Sequence, residues 1–215
     1  MLQTAEAQYR HKKQTGGRGQ FGEVYLRLDP RERGAGIEFL DEVVGGTVPN
    51  QFIPAVEKGV REIIERGVLA GYPVVDVAVA LYDGSYHPVD SSEASFKIAA
   101  SRGFEEAFMQ AKPVLLEPIM DVEITIPSKF MGDIVSDPNG RRGRPTGVDT
   151  VGDWQTIKAQ VPLAEVMRYS TELRSMTGGE GSFTMLFSHY DVVPFKLQEQ
   201  IVAKTKAAAQ EEKEK

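Results

Sequence analysis

The sequence predicts an α+β chain of two domains. Its 215 residues allow one large domain or two small ones. Its hydrophobic period switches repeatedly between two and about 3.6 residues. In the second half those switches run β-α-β-β-α-β, the split βαβ order of a ferredoxin-like domain.

The elements follow in order. From Gln20, Val24, Leu26 and Leu28 alternate with Tyr25 and Arg27, which is strand spacing, and residues 36–44 read as a second strand. Pro54 opens a helix in which Val56, Val60, Ile63 and Ile64 share a face, and Gly67 stops it. Residues 73–84 (PVVDVAVALYDG) are apolar on both faces, so this strand is expected at the centre of a sheet. Asp90 and Glu93 form a capping-box pattern ahead of a second helix, whose stripe is Phe96, Ala99, Ala100, Gly103, Phe104, Ala107 and Phe108. Lys112 and Pro113 end it.

A new unit starts near Glu117. Met120, Val122, Ile124 and Ile126 alternate with Asp121, Glu123 and Thr125, and a short helix covers Ser128 to Val135. Two strands flank Asp149–Asp153, Leu163, Val166, Met167, Ser170 and Leu173 line a helix, and residues 182–190 close the unit as a strand. The expected division is residues 1–116, residues 117–193, and a C-terminal helix with a frayed tail over 194–215.

Lys and Arg total 25 against 31 Asp and Glu, a net charge of −6. With no cysteine there is no disulfide framework, thiolate metal site or cysteine nucleophile. No apolar run is long enough to span a bilayer and residues 1–10 lack a signal-peptide core, so a cytoplasmic protein without membrane contact is expected. An acidic total argues against nucleic acid until the charge is located. Arg10, Lys12, Lys13 and Arg18 fall in a stretch without acid, and Arg141, Arg142 and Arg144 crowd the Gly/Pro segment PNGRRGRPTG. Both clusters read as loops free to meet a phosphate backbone; solvated surface charge is the plainer alternative.

Two catalytic look-alikes fail. Residues 17–24 (GRGQFGEV) match the glycine-rich loop of kinases, but the strand lysine, the H-R-D-x-x-x-x-N loop and the D-F-G are missing. No G-x-x-x-x-G-K-[ST] occurs, so the chain is not expected to be an enzyme. Ser85, His87, Asp90 and Ser91 crowd one short loop and lack the opposed geometry of a nucleophile, base and orienter. His11, His87 and His189 show no metal spacing.

Four segments carry a resemblance: RHKKQTGGRGQFG (10–22), AGYPVVDVAVALYDGSYHPVDSSEASFKIAAS (70–101), KPVLLEPIMDVEI (112–124) and ELRSMTGGEGSFTM (172–185). They resemble the C-terminal half of bacterial elongation factor G, the translocation GTPase, in the family's order and over nearly the whole chain. The resemblance implies that family's fourth domain, a βαβ fold like domain 2 of ribosomal protein S5, followed by its ferredoxin-like fifth domain and C-terminal helix. It implies a monomer that binds the ribosome and contacts the tRNA–mRNA duplex in the decoding centre during translocation. GTP and Mg would belong to an N-terminal GTPase domain of the parent, with no cofactor in this chain. A stand-alone ribosome-associated protein that occupies the A site without hydrolysis is the other reading.

Residue by residue, the resemblance places Gln14, Thr15, Gly16, Gly17, Arg18 and Gly19 in one RNA-contacting tip loop. Gly84, Ser85, Tyr86, His87, Val89, Asp90, Ser91 and Ser92 form the other. Arg141, Arg142 and Arg144 would meet ribosomal RNA near the GTPase-associated region of the large subunit. Pro88 stands where the family usually has Asp after the tip histidine, and DPNGRRG (137–143) replaces its D-L-S-R-R-R-G with one arginine fewer. With SHY (188–190), these departures resemble divergent elongation factor G-like paralogues.

Overall fold

A computed structural model describes residues 1–14, 17 and 19–213. They form two compact units: Met1–Val114 with the helix that begins at Phe195, and Leu115–Pro194. The breaks fall after Val114 and Pro194.

In the first unit, strands β1 (Ala5–Lys13), β2 (Gln20–Pro30), β3 (Ile37–Asp41) and β4 (Val77–Ser85) form one sheet in the order β1-β2-β4-β3. β2 pairs antiparallel with both β1 and β4, while β3 lies parallel to β4. Helices α1 (Ile53–Arg66) and α2 (Glu93–Gln110) pack on this sheet. Val24, Leu26 and Leu28 of β2 join Val77, Val79 and Leu81 of β4 in a core with Val60, Ile63, Phe96 and Phe104 from the helices. The central place of β4 agrees with its two-sided apolar pattern, since Ala78 and Ala80 on its other face are buried too.

β1 departs from expectation. Arg10, Lys12 and Lys13, which read as loop residues, lie on this strand. Ala5 and Ala7 are buried while Glu6 and Gln8 are exposed, so a period-two pattern is present in small residues whose weak hydrophobicity the basic side chains outweigh.

The second unit holds β5 (Leu116–Pro127), β6 (Arg144–Val151), β7 (Trp154–Pro162) and β8 (Ser182–Val192), in the order β6-β7-β5-β8 with every pair antiparallel. That is the strand order of a split βαβ domain. Short helices α3 (Met131–Ile134), α4 (Asp137–Gly140) and α5 (Leu163–Val166) lead to α6 (Tyr169–Met176). Val122, Ile124, Ile126, Ile157 and Val161 pack with Ile134, Val166, Tyr169 and Leu173 in a second core. The final helix α7 (Phe195–Lys213) groups with the first unit, where the Gln198 side chain donates to the Pro113 carbonyl at 3.3 Å.

Two measurements test this packing. A Cβ on Gly59 of α1 would overlap the Lys97 carbonyl oxygen of α2, and the Ser101 hydroxyl donates to the Gly59 carbonyl at 2.9 Å. Gly59→Ala should therefore destabilise the unit by about 1–3 kcal/mol, read as a lower denaturant midpoint. Asp29 works differently. Partial burial opposes its ionisation, but hydrogen bonds from Thr4 and Arg27 prevail and hold its carboxyl below the ordinary value. Its contribution is present above the ordinary carboxylate range and lost as pH falls through the depressed folded value. Asp29→Asn should flatten the acid limb of stability below about pH 4, followed by urea midpoints across pH.

Candidate functional site

The topology brings two loops to one end of the first sheet. β1 ends at Lys13 and β2 returns from Gln20, so the intervening loop lies at that end. Because β4 runs antiparallel to β2, its last residue, Ser85, lies opposite Glu23 near the start of β2. The segment leading to α2 therefore leaves the sheet beside the first loop, and Phe21 forms a bridge with Ser91. Thr15, Gly16 and Arg18 lie outside the described residues.

Polar groups join the two loops. The Gly19 amide donates to an Asp90 carboxylate oxygen at 3.0 Å, and the Phe21 amide donates to the Asp90 carbonyl at 3.0 Å. The Ser91 hydroxyl donates to the Phe21 carbonyl at 3.0 Å and accepts the His87 amide at 2.8 Å. Ser92 caps α2: its hydroxyl accepts the Ser95 amide at 3.2 Å from an extended backbone. This corrects the expected capping box, because the Asp90 carboxylate faces Gly19 instead.

Two glycines of the kinase-like motif have internal explanations. A Cβ on Gly19 would come within 2.9 Å of the Asp90 carboxyl carbon, and one on Gly22 within 3.1 Å of the Phe96 amide nitrogen. These glycines permit close approach within the fold.

His87 sits half-exposed at the apex. Its Nδ1 lies 3.3 Å from the Val89 amide, 3.2 Å from the Asp90 amide and 3.5 Å from an Asp90 carboxylate oxygen. Tyr86 and Val89 beside it are exposed, as are Gln14 and Gly17 in the other loop. Lys12 and Lys13 are exposed and have no ion pair among the described residues. Arg10 is committed elsewhere. It holds Glu23, only 3% exposed, through contacts of 3.0 and 3.2 Å, and Gln8 donates to the same carboxylate. Sequence reasoning misses Glu23 and Phe21. Once β1 is recognised as a strand, hairpin register places Glu23 opposite Arg10, so the pair is latent in the sequence.

The arginines of the second unit divide in two. Arg141 donates to Asp137 at 2.9 Å, to the Glu165 carbonyl at 3.1 Å and to Glu172, and it stacks over the Tyr169 ring at 4.6 Å. Arg142, with φ of 56°, grips both Glu117 oxygens at 2.7 and 2.9 Å and reaches Glu165 at 2.8 Å. The Glu117 bonds foremost raise the Arg142 pKa, with Glu165 adding to them against partial burial. Partial burial opposes the Arg141 charge, but Asp137 and Glu172 outweigh it. Burial, reinforced by Asp137, likewise lifts the Tyr169 phenol above its usual range. Arg144, at the start of β6, is exposed and lacks any such ion pair among the described residues. No cluster of metal-ligating side chains and no helix suited to crossing a membrane occurs among the described residues.

Two family models together span most of the chain. Elongation factor G, domain IV, matches residues 2–112, and the elongation factor G C-terminus matches residues 114–201. The chain belongs to the elongation factor G family. An elongation factor G-like protein of Thermotoga maritima is 51% identical over 210 residues, covering 97% of this chain and 31% of that protein. Elongation factor G of Aquifex pyrophilus is 52% identical over 195 residues, covering 91% of this chain and 28% of its own length. A crystal structure of a Thermus thermophilus protein superposes with a TM-score of 0.79 at 43% identity, over 96% of this chain and 31% of that one. The chain thus spans about a third of the length of the curated relatives it matches. For this family member, the ion pairs predict unequal roles for the arginines. Arg142→Ala should destabilise the second unit by about 1–3 kcal/mol, whereas Arg144→Ala should stay within about 0.5 kcal/mol, both read from chemical denaturation.

Proposed function

We propose that this chain is the ribosome-contacting portion of a translational GTPase, and that it promotes tRNA–mRNA translocation by inserting its two apical loops into the decoding centre. One observation carries the reading: the loops are tied side by side at the end of a sheet, while Gln14, Gly17, Tyr86, His87 and Val89 face outward. An aromatic ring, an imidazole and an amide suit stacking on unpaired bases and hydrogen bonding to ribose hydroxyls. Lys12 and Lys13 beside them supply charge for phosphates, while the net −6 of the chain keeps non-specific adhesion weak.

In this reading the apex acts as a wedge. It occupies the space beside the codon–anticodon duplex and keeps the pairing in register while the duplex moves. The work comes from elsewhere: GTP and Mg belong to the N-terminal domain of the whole factor. The second unit docks on the large subunit through Arg144, and Arg141 and Arg142 hold the preceding loop in shape.

Footprinting the 215-residue chain on programmed ribosomes should protect decoding-centre nucleotides, and His87→Ala should weaken binding about tenfold without changing the unfolding midpoint. Arg144→Ala should lower the slope of log affinity against log salt by about one. Calorimetry with GTP should give no heat. Protection confined to the large subunit, or binding indifferent to His87, would overturn the apical reading.

A further inference from the structure

We infer that Asp90 is a positioning residue that staples one apical loop to the other and does not itself contact RNA. The inference rests on the apical reading above and changes the role of one residue in it. Asp90 reaches the opposite hairpin through both its carboxylate and its main-chain carbonyl. Its carboxylate takes the Gly19 amide at 3.0 Å, and its main-chain carbonyl takes the Phe21 amide at 3.0 Å. The second carboxylate oxygen lies 3.5 Å from His87 Nδ1, which the Val89 and Asp90 amides also approach. Only 21% of the Asp90 side chain is exposed, against 51% of His87.

The fit is tight from the other loop as well. A Cβ at position 19 would lie 2.9 Å from the Asp90 carboxyl carbon and 3.0 and 3.1 Å from its oxygens. The carboxylate therefore occupies the space that a side chain at position 19 would take. Ser91 reinforces the seam two residues further on, through the Phe21 carbonyl. The Asp90 carboxylate is the link that reaches Gly19, at the end of the first loop.

Charge gives the two roles opposite signs. A carboxylate pressed against RNA repels phosphates, so removing it should tighten binding. A carboxylate that shapes the reader should weaken binding when removed, because the outward groups lose their spacing. The neutral amide of Asn still accepts a hydrogen bond from Gly19, so Asp90→Asn should restore what Asp90→Ala loses.

The test uses the 215-residue chain and small ribosomal subunits carrying mRNA and tRNA. By NMR, Asp90→Ala should speed exchange of the Gly19 amide about tenfold and leave Phe21 protected, since its acceptor is main chain. Gly19→Ala should loosen the same seam, read as a shift of the Asp90 carboxyl resonance. Subunit affinity should fall about fivefold in Asp90→Ala and return to within about twofold of the parent in Asp90→Asn. Unchanged Gly19 exchange in Asp90→Ala overturns the staple. Faster exchange with tighter binding overturns its role in recognition and makes Asp90 a repelling contact. If the parent chain does not bind the subunits at all, the apical reading fails, and Gly19 exchange still decides the staple.

Discussion

The antiparallel pairing of β2 with both β1 and β4 is the constraint on which the apical site depends. A strand flanked by two antiparallel partners brings the end of one and the start of its own hairpin loop to the same edge. The two loops are 71 residues apart at Gly19 and Asp90, yet they become neighbours through this pairing. Register completes the effect: Glu23 lies opposite Arg10 on one side and Ser85 on the other, so the seam between Phe21 and Ser91 forms immediately above a buried acid. A one-residue slip of β2 would turn its apolar side chains to the opposite face and break all of these juxtapositions.

Charge is used inward as much as outward. Arg10, Arg141 and Arg142 read as candidate phosphate contacts in a sequence, but each is held by carboxylates of its own unit. Such partly buried pairs shape loops more than they add stability, because desolvation offsets much of the Coulomb gain. Arg142 illustrates this: its left-handed backbone is held where a bidentate clamp to Glu117 ties the loop to β5. The net charge of −6 therefore says little about where a polyanion could dock. Of the basic residues singled out in the two sequence clusters, Lys12, Lys13 and Arg144 are exposed and free of ion pairs among the described residues.

Legibility in the sequence follows the strength of the pattern. The helix stripes through Val56–Ile64 and Phe96–Phe108 and the strand alternation of Met120–Ile126 appear in the fold as read, because large aliphatic and aromatic groups mark the buried face plainly. β1 is hidden because alanines mark its inner face and basic residues dominate its end. The capping-box pattern points to Asp90, although Ser92 occupies the N-cap of α2. Several acceptors precede that helix, and only the competing demand of Gly19 decides which one turns to the helix amides. The site residues are legible as a group and not by role. Asp90, Ser91 and Ser92 serve the seam and the cap, whereas Tyr86, His87 and Val89 face outward.

What the sequence by itself determined is the alternation of elements, the α+β class and the family to which the four quoted segments point. Each is a local property, written in hydrophobic period or in runs of adjacent residues. Only the tertiary structure decided which cations stay accessible and which acids are occupied, and that two distant loops share one seam. Those outcomes depend on which side chain reaches a partner first across a strand register. Such competition is settled by packing and hydrogen-bond geometry between residues that the chain separates by tens of positions.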